Sequence, residues 1–112
     1  MNKEQLREIL KELKENLDIS EDIKIELRPM KTKAASISLK KNTIRINKNI
    51  IPSLNLDCVK YLILHELTHY RLKSTYHNGD FHKQINKKIE NTEAKELERK
   101  ILTSLLELND IL

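Results

Sequence analysis

Cysteine, glycine and tryptophan are almost missing from this chain: its 112 residues include one Cys, one Gly and no Trp. Each shortage removes a class of protein. A single cysteine, Cys58, forms no internal disulfide, so the fold is not a disulfide scaffold and suits a reducing compartment. Lying in an apolar helical stretch, Cys58 reads as a small core residue. Aromatics amount to one Phe and three Tyr, so the core must be built from Leu and Ile, and stacking platforms for nucleic-acid bases are lacking. No apolar run approaches the roughly 20 residues of a membrane-spanning helix. The start, MNKEQLREIL, has neither the apolar segment nor the cleavage site of a secretory signal. The expectation is a cytoplasmic, soluble protein with no membrane partner.

What is present is charge. Charged residues make up 34% of the chain and the net charge is +4, with Lys and Arg scattered among Glu and forming no basic block. Nucleic-acid binding is therefore a weak reading. The length fits one domain, 1–112, with neither repeats nor low-complexity linkers. A core this small gains from a bound metal or from oligomerisation.

The apolar spacing lays out an α+β fold. From Asn2 to Leu17, Leu6, Ile9, Leu10, Leu13 and Leu17 mark one face of an N-terminal helix. Three period-two runs follow, at Ile23–Leu27, Ser36–Lys40 and Ile44–Asn47, each a half-buried strand. Pro29 ends the first, and Lys41-Asn42 suits a hairpin turn between the others. A small three-stranded antiparallel sheet is expected. After Pro52 the period changes. Leu56, Val59, Leu62, Ile63, Leu64 and Leu67 predict a largely buried helix, capped by Ser53 or Asn55. Beyond the turn signal Asn78-Gly79-Asp80, a helix through Phe81, Ile85 and Ile89 is expected to break near Asn91. A Leu-rich C-terminal helix then runs through Leu97, Ile101, Leu105 and Leu108.

The buried helix carries His65-Glu66-Leu67-Thr68-His69, a His-Glu-x-x-His pattern. Residues four apart share a helix face, so both imidazoles can reach one ion, and zinc takes such nitrogens at about 2.0–2.1 Å. Glu66 is turned by about 100° and is placed to take a proton from water held at the metal. A random chain of this length carries the pattern only a few times per thousand, roughly. Inside an apolar helix, two His and a Glu are costly unless satisfied. A catalytic site needs a third protein ligand. His77, His82, Glu90, Glu93 and Glu96 all remain open on spacing alone.

The run from Ile44 to His82, IRINKNIIPSLNLDCVKYLILHELTHYRLKSTYHNGDFH, resembles the minigluzincins. These are very small soluble metallopeptidases related to catalytic domains of integral-membrane zinc proteases. The run is also similar to small metalloprotease domains in which His-Glu-x-x-His is followed by a short loop and His-x-x-x-Phe. The resemblance covers about a third of the chain strongly, and the element order of the remainder agrees with it. It implies one catalytic zinc held by His65, His69 and His77, with Glu66 as general base and Phe81 as a core anchor. The gap between His69 and His77 is slightly longer than the commonest version, which keeps His82 in view. The resemblance also implies a zymogen-like form, with the segment Thr92–Leu112 blocking the cleft within one molecule or across a homodimer or higher oligomer.

The expected activity is that of a zinc metalloendopeptidase acting on peptides or unfolded protein. The strands near Thr43–Asn47 or Ser36–Lys40 are candidates to pair with an extended substrate. Tyr70, Tyr76 and His82 are candidate oxyanion stabilisers. Two other classes compete: a permanently latent metal-binding or interaction protein on the same scaffold, and a nucleic-acid-associated protease.

Overall fold

A computed structural model describes residues 1–109; the last three positions of the predicted C-terminal segment lie outside the described residues. The elements are α1 (Lys3–Asn16), β1 (Lys24–Arg28), β2 (Ala35–Ser38), β3 (Thr43–Asn47), a short 3-10 turn (Ile51–Ser53), α2 (Leu56–Leu72), α3 (Gly79–Asn86) and α4 (Asn91–Asn109). The α+β order is as expected, an N-terminal helix, three strands and then helices.

Local chemistry explains the boundaries. Asn2 accepts from the Gln5 amide at 2.9 Å while the Gln5 side chain accepts from the Asn2 amide, a reciprocal cap that starts α1. Leu6, Ile9 and Leu10 bury its inner face. Asn55 caps α2 through the Cys58 amide at 2.9 Å. α4 starts at Asn91, so Glu90 stands at the cap position and Asn91 and Thr92 already lie inside the helix. Cys58 is buried in the core.

The sheet departs from the expectation. It is mixed, in the order β1-β3-β2: β1 pairs parallel with β3, and β2 pairs antiparallel with β3. Asn47, fully buried at the end of β3, supplies the reason. Its side-chain oxygen accepts from the amides of Met30 and Asn49, and its Nδ2 donates to the carbonyls of Met30 and Lys33. Its own amide donates to Ala34. The segment between β1 and β2 is thus pinned across the end of β3. β2 lands two strand widths from β1, and the turn at 39–42, with Asn42 at φ 47°, threads β3 between them. Alternation identifies half-buried strands but carries no pairing order.

All of the hydrogen-bonding capacity of the Asn47 amide is used here. Replacing it with alanine is expected to lower stability by about 2–3 kcal/mol, since partners would be left unpaired at a buried site. A urea titration should show a lower midpoint at unchanged slope. A midpoint equal to that of the parent protein would mean that the network does not hold the strand order.

α2 is the hub, in contact with α1, α3, α4, β2 and β3. Eleven of its 17 residues are buried. Among the described residues, no helix is long and apolar enough to cross a membrane.

Candidate metal centre and active-site cleft

Tyr61, His65 and His69 follow one another at four-residue intervals on α2 and so form one stripe along the helix. α2 ends at Lys73 in the left-handed conformation, φ 52°. That turn reverses the chain so that the Ser74 carbonyl meets His69 Nδ1 at 2.9 Å. A carbonyl can only accept, so Nδ1 carries the proton and the neutral ring presents its Nε2 lone pair. A short loop follows, and Asn78 accepts from the Phe81 amide at 3.1 Å to open α3. This cap delivers His77 and Phe81 to the stripe.

The three Nε2 atoms converge. His65 and His77 are 3.0 Å apart, His69 and His77 3.1 Å, and His65 and His69 3.2 Å. Nitrogens bound at 2.0–2.1 Å in a tetrahedral site stand about 3.3 Å from one another, so the triangle needs to open by only a few tenths of an ångström to seat an ion. Phe81, almost completely buried, backs all three rings: its centroid lies 4.8 Å from that of His65, 4.5 Å from His69 and 4.9 Å from His77. Burial, with added repulsion from His69, His77 and His82, pushes His65 down to about 3. Burial also lowers His69, against the opposing pull of its bond to Ser74. Both therefore offer neutral rings near pH 7, the form that ligates metal. Donor type, spacing and charge state all fit a divalent ion such as zinc.

Glu66, 5% exposed, lines the same cleft. Burial raises its carboxyl to about 7, with the Lys33 charge pulling the other way. A carboxyl poised there can both take and return a proton near neutrality. The cleft encloses about 420 Å³. Its floor is α2, one wall is the segment Lys33–Ile37 running into β2, and the other wall is α4 through Glu98, Ile101, Leu102 and Leu105. A larger hollow of about 540 Å³ between α1 and β1 contains none of the motif residues.

Among the described residues, the potential metal-holding cluster consists of His65, His69 and His77. His82 sits exposed on α3, its ring against Phe81 at 5.7 Å. Glu90 accepts from Thr92, Glu96 pairs with Arg99, and neither these nor Glu93 joins the cluster. Thr43–Asn47 is the central strand, paired on both sides, and so cannot add a substrate strand; β2 is the edge beside the cleft. The three candidate oxyanion stabilisers, Tyr70, Tyr76 and His82, do not line the cleft. Tyr70 donates to Glu21 at 2.8 Å, tying α2 to the segment before β1, and Tyr76 is 76% exposed. The sequence reading missed Tyr61, whose hydroxyl donates to the Glu98 carboxylate of α4. Its four-residue offset before His65 was the one available signal. Burial, reinforced by that bond, raises the Tyr61 phenol and keeps it a donor.

Known proteins are similar to this chain along most of its length. Among curated proteins, an uncharacterized protein of Methanocaldococcus jannaschii is 37% identical over 105 residues, covering 94% of this chain and 96% of its own length. An uncharacterized protein of Aquifex aeolicus is 45% identical over 83 residues, 74% of either chain. Two crystal structures of minigluzincins are similar. The metallopeptidase zymogen of Pyrococcus abyssi abylysin superposes with a TM-score of 0.82 at 29% identity, over 90% of this chain and 95% of its own. The metallopeptidase zymogen of M. jannaschii jannalysin gives a TM-score of 0.80 at 37% identity, over 89% of this chain and 96% of its own. The YgjP-like metallopeptidase domain matches residues 2–101, the stretch that holds the histidine triangle, Glu66 and most of the cleft, and the chain belongs to that family.

Proposed function

We propose that this protein is a zinc-dependent endopeptidase, held in a latent form by the second half of α4. The observation that carries the reading is the triangle of three Nε2 atoms at 3.0–3.2 Å with Glu66 in the same cleft. His65, His69 and His77 are the ligands. A zinc ion there supplies Lewis acidity toward the scissile carbonyl and acidifies water. Glu66, in the same cleft, would take a proton from water and return it to the leaving amine. The edge of β2 offers main-chain groups to an extended peptide or unfolded protein segment.

Latency is supported by two features. The solved relatives are described as zymogens. α4 also divides into two halves: Ala94, Leu97 and Ile101 are buried, whereas Leu102, which lines the cleft, and Leu106 are 55% and 62% exposed. Asn109 Nδ2 donates at 2.6 Å to Lys31, in the segment leading to β2, so the end of α4 is tied to the opposite wall. A second copy of the chain is the occupant proposed for the exposed leucines, giving a homodimer in the cytoplasm.

The test compares the zinc-loaded full chain with a form ending at Ile101, using unfolded casein. Both are expected to hold one zinc, and the shortened form to cleave at least about tenfold faster, the range opened by freeing a masked site. Equal rates would remove the latency reading. A folded, zinc-loaded short form that leaves casein intact would favour a permanently latent metal-binding protein instead.

A further inference from the structure

We propose that Glu98, fixed by the Tyr61 hydroxyl, sets substrate specificity by receiving a cationic nitrogen of the peptide in the cleft. This rests on the peptidase reading above. Glu98 stands on the α4 wall, facing the cleft that also holds His65 and Glu66. The Tyr61 hydroxyl donates to its Oε1, leaving Oε2 for a second partner. Tyr61 is 3% exposed and packs edge-on against His65, with centroids 5.9 Å apart, so this anchor is rigid with the metal-facing stripe.

No protein cation answers the charge. Among the described residues the ion pairs are Arg28–Glu26 and Arg99–Glu96, so the arginine next to Glu98 in sequence is already engaged elsewhere. Lys33 lines the other wall, where its charge acts on Glu66. The phenol is a neutral donor and supplies no countercharge to Glu98, an exposed residue on the cleft wall that also carries Ile101, Leu102 and Leu105. The complement is an ammonium or guanidinium group. An anionic side chain at the same place would meet repulsion. Because Ala94, Leu97 and Ile101 bury the first half of α4, Glu98 keeps its place whatever the later residues do. The cation can be a Lys or Arg side chain or a free peptide N-terminus.

The experiment uses the full zinc-loaded chain carrying Glu66→Ala, so that binding is read without turnover. Four fluorescent peptides of equal length are titrated: N-blocked with an internal Lys, N-free with norleucine, N-blocked with norleucine, and N-blocked with Glu. At least one cationic peptide is expected to bind about two- to fivefold more tightly than the blocked norleucine peptide, and which one it is identifies the source of the cation. Adding Glu98→Gln should abolish that preference, and Glu98→Lys should shift it to the Glu peptide. Tyr61→Phe should reduce it at unchanged zinc content. Equal binding of all four peptides, no binding of any, or a preference that survives Glu98→Gln overturns the proposal. A protein that selects cationic peptides yet cleaves no casein with Glu66 intact, even when shortened to end at Ile101, fails the peptidase reading alone.

Discussion

Replacing Glu66 with alanine is expected to lower kcat on casein by about 10²–10⁴-fold while zinc content stays at one per chain, the range for loss of a general acid–base group. The separation of the two effects follows from the geometry. Glu66 lies outside the histidine triangle, so its removal deletes a proton acceptor and leaves the metal seat. The carboxyl is 5% exposed and burial raises it to about 7, so it is held at the edge of ionisation. That shift has a second consequence for metal-free protein. A carboxyl whose pKa is raised from 4.5 in the unfolded chain to about 7 in the fold contributes stability below pH 4.5 and loses it as pH rises through 7. The alanine variant should lack this component. Kinetics beside metal analysis, and melts at pH 5 and pH 8, provide the check. More than about a tenth of parental turnover in the variant would exclude Glu66 from a role worth two or more powers of ten.

Stripping the metal with a chelator is expected to lower Tm by about 15 °C. A ligand present at a thousand times its Kd stabilises the folded state by about 4 kcal/mol, and each kcal/mol moves the melting point of a domain this size by about 4 °C. The triangle explains why so much stability is concentrated there. His65 and His69 come from α2 and His77 from the loop before α3, so an ion staples the loop to the central helix. Without it, three Nε2 atoms within 3.2 Å of one another have at most shared N–H···N contacts in place of an ion that all three could bind. His69→Ala should melt at the same temperature with and without chelator. If that variant still loses about 15 °C on chelation, the stabilising metal sits elsewhere.

The floor of the site was legible from sequence because it depends on one local rule. His65, Glu66 and His69 are set by helical spacing, and the surrounding apolar residues place that helix inside. The loop was harder. Spacing alone left His77, His82, Glu90, Glu93 and Glu96 open, and the resemblance favoured His77. Two short-range details decide the placement: the left-handed turn at Lys73 and the Asn78 cap. The walls were not legible. The mixed sheet depends on Asn47 bonding to Met30 and Lys33, 17 and 14 residues away, and no periodicity encodes such a contact. Tyr61 and Glu98 are 37 residues apart on helices that meet only after folding. Each strand was found, but their order was not, because alternation reports which face is buried and not which neighbour is paired.

The central position of β3 has one more consequence, which concerns self-association. It leaves β1 as the sheet's other edge. The Lys24 amide and the Arg28 carbonyl point toward the β3 side, so Ile25 and Leu27 turn their backbone groups outward. Such a row is a template for uncontrolled stacking of chains. The side chains disfavour one register of it. In a symmetric antiparallel pairing centred on Glu26, that residue would face its own copy and Lys24 would face Arg28, so both charged pairs of that register would be like-charged, while Ile25 would face Leu27. The same sheet thus has one edge beside the cleft and one edge whose charges penalise the Glu26-centred register of self-pairing.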